Sequence, residues 1–126
     1  MATILVIDDS GFRRTMIRMA LERVGIDVIE AVDGMDGLDE VRRHLPDIIV
    51  TDLMMPRLGG VEMIQTLRQE GHDVPVVVAT IDISAKTRST LEAEGVANFV
   101  IEPFGATHVV RTVLNLLQPP AERRSA

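Results

Sequence analysis

A chain of 126 residues carrying a net charge of −6, three Phe, no Trp or Tyr and no Cys sets narrow bounds. One domain with one core is expected at this length. An acidic, aromatic-poor surface excludes nucleic-acid readers, which need basic stripes and stacking platforms, and the lack of cysteine excludes a disulfide framework, a thiolate nucleophile and a cysteine zinc site.

Thr3-Ile4-Leu5-Val6-Ile7 is a continuous apolar run of the kind a strand buried on both faces requires, and Asp8-Asp9-Ser10-Gly11 ends it in an acidic loop. Met1 leads straight into this strand rather than into a signal peptide, and no apolar run reaches membrane-spanning length, so a cytoplasmic protein is expected. From Phe12 to Val24, Phe12, Met16, Ile17, Met19, Ala20 and Val24 recur at helical spacing. That pattern predicts a helix burying those residues and exposing Arg13, Arg14 and Arg18, with Gly25 as its stop.

Asp27 to Val32 reads as a second strand and Gly34 to Leu45 as a second helix, with Met35, Leu38, Val41 and Leu45 inward and Pro46 at its end. Ile48 to Thr51 is the third strand, and Val61 to Glu70 the third helix, with Val61, Ile64 and Leu67 inward. Pro75 to Ala79, ending at Thr80, is the fourth strand, and Ser84 caps a fourth helix running to Glu94. Ala97 to Ile101 is the fifth strand and Thr107 to Leu117 the last helix, with Val109, Val110, Val113, Leu114 and Leu117 inward. A domain over 1–118 and a short disordered tail over 119–126 are expected. Strictly alternating strands and helices with short loops imply an α/β fold, a doubly wound parallel sheet covered on both faces.

The organising stretch is Ile48 to Gly60, IIVTDLMMPRLGG. Its strand delivers Asp52 to the carboxyl end, where open α/β sheets keep their chemistry, and Pro56, Gly59 and Gly60 turn the chain back. Asp52 is expected to be displayed, not buried. The same sheet edge would collect Asp8, Asp9, Asp52, Thr80 and Glu102. Clustered carboxylates repel one another, and a hard divalent cation, Mg²⁺, is the usual resolution. A metal-neutralised aspartate can attack a phosphoryl group, which makes Asp52 the natural nucleophile.

On these residues the chain resembles the receiver domains of two-component response regulators, a resemblance covering residues 3 to 117. It rests on the acidic pair Asp8-Asp9 after the first strand, on Asp52, Met55, Pro56 and Gly60 in a D-x-x-M-P-x-x-x-G pattern, on Thr80 at the end of the fourth strand and on Phe99 inside the fifth. It implies a flavodoxin-like (βα)5 fold of strand order 2-1-3-4-5. It also implies Asp52 as phosphoacceptor, and Mg²⁺ on Asp8, Asp9, Asp52 and the Met54 backbone carbonyl. Thr80 and Phe99 would be switch residues acting on the face of helix 4, strand 5 and helix 5. The phosphoryl group would come from a histidine kinase or histidine phosphotransfer protein, and a downstream protein target would read the switch in a monomer or weak dimer. Phe12, Arg13 and Met16 on the first helix become candidates for partner contact. An apolar Met54 should hinder the hydrolytic water, and Ile81 should narrow access for phosphodonors.

One position departs from the pattern. The family's Lys-Pro-Phe after the fifth strand is Glu102-Pro103-Phe104 here, so a negative charge stands where a cation is expected to clamp the phosphoryl group. Two readings stay open: a phosphoacceptor switch with a retuned site, and a phosphorylation-independent binding module. Lys86, the nearest candidate replacement cation, falls within the fourth helix at a position that favours solvent. An aspartate-nucleophile phosphohydrolase would want Asp-x-Asp after the first strand, and Asp8-Asp9-Ser10 is not that. No glycine-rich nucleotide loop follows any strand.

Overall fold

The computed structural model describes residues 2–101 and 105–119, so Glu102 and the expected tail beyond Pro119 lie outside the described residues. Ten elements alternate along the chain: β1 Thr3–Ile7, α1 Gly11–Arg23, β2 Asp27–Ala31, α2 Gly34–His44, β3 Ile48–Thr51, α3 Gly60–Gln69, β4 Val76–Thr80, α4 Ala85–Ala93, β5 Asn98–Ile101 and α5 Ala106–Leu117. The strands form one parallel sheet in the order β2-β1-β3-β4-β5, the flavodoxin-like order.

The sheet separates two cores, and alternation along each strand feeds both. Leu5 and Ile7 of β1 point to one face, where Leu38 and Val41 of α2, Met63, Ile64 and Leu67 of α3 and Leu91 of α4 pack on Ile49 and Val78. Ile4 and Val6 point to the other, against Ile17 and Leu21 of α1 and Val109 and Val113 of α5. That two-sided burial is why β1, β3 and β4 read as unbroken apolar runs rather than as alternating ones. The glycines that stop α1, α3 and α4, at 25, 71 and 95, all take positive φ.

The packed face of α1 differs from the expected one. Its buried residues are Ile17 and Leu21, whereas Phe12, Met16, Met19 and Val24 are exposed, Phe12 by 75%. Residues 13, 17 and 21 share one stripe at intervals of four, so seating Ile17 and Leu21 on the sheet turns Arg13 inward and the methionines out. The exposed arginine face expected on this helix therefore does not form at its start, where the Arg13 and Arg14 side chains are only 19% and 18% exposed. Leu45 is exposed rather than inward, because it caps α2 in the left-handed conformation with φ 48. Met35 and Leu114 are likewise exposed, each lying off the face its helix buries, which is Gly34, Gly37, Leu38 and Val41 in α2 and Val109 and Val113 in α5.

Candidate functional site

Strand register brings the acidic residues together. Ile7 pairs with Thr51, so the next residue of each strand, Asp8 and Asp52, leaves the sheet at the same level. The ladder continues one step past the strands: the Asp52 backbone N–H donates to the Ile7 carbonyl at 3.1 Å, and that of Asp8 to the Ala31 carbonyl at 3.2 Å. Asp9 follows in the loop, and carboxylate oxygens of Asp8, Asp9 and Asp52 all lie within 4.8 Å of one another. Three hard oxygen donors at this spacing fit the donor set that Mg²⁺ takes.

Local bonds hold the carboxylates in place. The Ser10 N–H donates to Asp8 Oδ1 at 2.8 Å, while Ser10 Oγ caps α1 by accepting from the Arg13 N–H. Asp52 Oδ1 accepts from the Leu53 N–H at 2.7 Å. Asp52 is only 6% exposed and Asp8 3%, so Asp52 is buried rather than displayed. The cause is Arg13. Its Nε donates to Asp8 Oδ2 at 3.1 Å, its Nη2 to Asp8 Oδ1 at 3.3 Å, and Nη2 also to Asp52 Oδ2. Burial pushes the Asp8 carboxyl above its usual range, opposed by the Ser10 N–H and the Arg13 guanidinium.

Arg13 is the functional-site residue that sequence reasoning missed, having placed it on a partner surface. The available signal was its position in the first turn of a helix directly after an acidic loop. Helical side chains lean toward the N-terminus, which aims this one back over Asp8. Lys86, the cation weighed from the sequence, is exposed on α4.

The β3–α3 loop that follows Asp52 is anchored on its far side by α2. Asp33 caps α2 by accepting from the Asp36 N–H and also receives Arg57 Nε at 2.7 Å and Nη2 at 3.0 Å. Those guanidinium bonds hold the Asp33 carboxyl below the usual carboxylate range. One residue on, the Gly34 N–H donates to the Leu58 carbonyl at 3.0 Å. Of the remaining residues singled out, Thr80 is buried at the end of β4, its hydroxyl donating to the Asp82 carbonyl at 3.3 Å. Phe99 is half-buried, with the Arg88 guanidinium 4.4 Å from its ring centroid. The side chain of Met54 is 80% exposed, and Ile81, Phe12 and Met16 are exposed as well.

Residues 4–114 match the family described as the response regulator receiver domain. The chain belongs to that family. This receiver domain is 35% identical over 115 residues to the response regulator MprA of Mycobacterium sp. (strain KMS), covering 91% of the chain and 50% of the relative. It is equally similar to a probable transcriptional regulator, ycf27, of Porphyridium aerugineum, covering 91% of the chain and 48% of that protein. The chain thus spans about half the length of these curated relatives. Among solved structures, chemotaxis protein CheY4 of Vibrio cholerae superposes with a TM-score of 0.85 at 27% identity, over 93% of this chain and 99% of the other. The Francisella response regulator 1452 receiver domain gives 0.85 at 28% identity, over 92% and 96%. The receiver domain is thereby placed in two-component signalling, in a family of phosphoacceptors rather than enzymes. Among the described residues no helix is long and apolar enough to cross a membrane.

Proposed function

We propose that Asp52 accepts a phosphoryl group from a phosphohistidine of a histidine kinase or phosphotransfer protein, with Mg²⁺ held by Asp8, Asp9, Asp52 and the backbone carbonyl of Met54. The observation that supports this most is the meeting of Asp8, Asp9 and Asp52 within 4.8 Å at the carboxyl edge of the sheet. An Asp52 carboxylate oxygen attacks phosphorus, forming the O–P bond of an acyl phosphate as the P–N bond to imidazole breaks, and the leaving nitrogen takes up a proton. When bound, the ion neutralises carboxylate charge and draws phosphoryl oxygens toward it.

Thr80 then turns its hydroxyl from the Asp82 carbonyl toward the phosphoryl oxygens, and Phe99 moves inward, away from Arg88. The change biases two packings of the α4–β5–α5 face, which a downstream protein reads. Phe12 and Met16, exposed on α1 beside the acidic loop, serve as contacts for the histidine-bearing partner. The exposed Met54 side chain hinders the hydrolytic water, so Met54→Asn speeds loss of the phosphoryl group.

The test is intact mass after incubation with acetyl phosphate and Mg²⁺. One phosphoryl adduct on the wild type, absent from Asp52→Asn, supports the proposal. No adduct on the wild type, with a clear one on Glu102→Lys, would mean that the charge at 102 blocks donor chemistry and would favour a binding module that works without phosphorylation.

A further inference from the structure

We propose that Arg13 is a tethered cation that occupies the acidic site until Mg²⁺ displaces it, so that metal binding is a competition between the ion and this guanidinium. The inference rests on the reading of Asp8, Asp9 and Asp52 as a metal site, and it adds a control element on α1.

The geometry carries the argument. Arg13 engages both oxygens of Asp8 and Oδ2 of Asp52, and its Nη2 is hydrogen-bonded to both residues. That nitrogen therefore lies between two of the three clustered carboxylates. An ion coordinated by the same two groups needs oxygens at roughly 2.0–2.1 Å, and so needs the volume that Nη2 fills. The two cations cannot share the site. The guanidinium is also a better resident than an exposed ion pair would be, because its carboxylate partners are nearly desolvated and its fork matches Asp8 in two places.

Arg13 is built to leave as well as to hold. Its backbone is fixed in the capped first turn of α1 by the bond to Ser10 Oγ, while its side chain, 19% exposed, reaches the carboxylates from the rim. Rotation about its side-chain torsions returns the guanidinium to water without unwinding the helix. Arg14 provides the internal comparison. It carries the same charge one residue on, but donates to the Asp8 backbone carbonyl at 2.7 Å and to Glu30 at 3.0 Å. Those bonds direct Arg14 to the Asp8 backbone and to Glu30, whereas Arg13 takes the carboxylates.

The test is Mg²⁺ titration followed by ¹⁵N NMR, without phosphodonor, since the chain has no Trp or Tyr to report binding. Arg13→Ala should bind Mg²⁺ about tenfold more tightly than wild type, equivalent to about 1.4 kcal/mol, whereas Arg14→Ala should stay near wild type. In the wild type, the Arg13 Nε–H resonance should move toward its solvent-exposed position as Mg²⁺ saturates, a readout that needs no variant to fold. Equal tightening in Arg13→Ala and Arg14→Ala would reduce the effect to general charge and overturn the inference. So would unchanged or weaker binding in Arg13→Ala, with the metal site itself left standing. Absence of Mg²⁺ binding in all three proteins would overturn the metal-site reading and the inference together.

Discussion

Gly34→Ala is the sharpest test of how the β3–α3 loop beside Asp52 is held. A Cβ built on Gly34 would stand 2.3 Å from the Leu58 carbonyl oxygen, 2.9 Å from its carbonyl carbon and 3.0 Å from its Cβ. All three atoms belong to one residue and two are backbone, so no side chain can step aside. Reaching ordinary contact requires the β3–α3 loop to retreat by about 1 Å, a strain of the kind that costs ~1–3 kcal/mol. The same retreat breaks the 3.0 Å bond from the Gly34 N–H to the Leu58 carbonyl, worth about 1 kcal/mol. Alanine's better helix propensity returns at most ~1 kcal/mol. A net loss of about 2 kcal/mol follows, a sizeable part of the ~5–15 kcal/mol that holds a domain folded. Urea unfolding followed by circular dichroism should show the midpoint falling by about 1 M with an unchanged slope. A midpoint equal to or above that of the wild type would refute the view that this loop is braced by close backbone contact.

Three further outcomes use the same logic. Gly37→Ala should stay within about 1 kcal/mol of wild type, since its Cβ meets Met63 Sδ at 2.7 Å and Ile7 Cδ1 at 2.8 Å, side-chain atoms that can shift, and alanine favours the helix; a loss matching that of Gly34→Ala in urea would show a core unable to give. Asp8→Asn should raise the thermal midpoint at neutral pH. Burial raises the folded-state pKa of Asp8, so its ionisation costs stability above that pKa, and the gain should shrink as pH falls through it; a lower midpoint at neutral pH would show that the Arg13 bonds outweigh burial. Arg57→Ala should lower the midpoint at neutral pH and lose its effect in acid. Asp33 has a depressed folded-state pKa, so its contribution is present above the ordinary carboxylate value near 3.8 and disappears as pH falls through the folded value; equal loss at both pH values would assign the effect to the left-handed backbone of Arg57 instead.

The sequence carried the sheet and its edge with little loss, for a physical reason. A strand buried on both faces is apolar or β-branched along its length, as in Thr3–Ile7 and Ile48–Thr51, and the first acidic residue after such a run marks where it leaves the sheet. Asp8 and Asp52 are those residues, so their meeting needed only the parallel register. Helical phase was less legible. α1 carries apolar residues around much of its circumference, and the exposed Phe12, Met16 and Met19 outnumber the Ile17–Leu21 stripe that packs. Choosing the wrong face moved Arg13 from the site to the surface, and the strand-end position of Asp52 gave no hint that a guanidinium would meet it. The Asp33–Arg57 bridge was hidden for another reason: it joins residues 24 apart, and it depends on a positive φ at Arg57 that no local pattern announces.

The site's charge balance follows from that misplaced helix face. Three carboxylates converge where two strands end, and the cation that meets two of them comes from α1, on the stripe that Ile17 and Leu21 seat against the sheet. Core packing and site electrostatics are therefore one constraint. The opposite side of Asp52 is fixed independently, by Asp33 and Gly34 holding the loop that begins at Leu53. Asp52 thus sits between a loop braced by Asp33 and Gly34 and a guanidinium that reaches its carboxylate from α1.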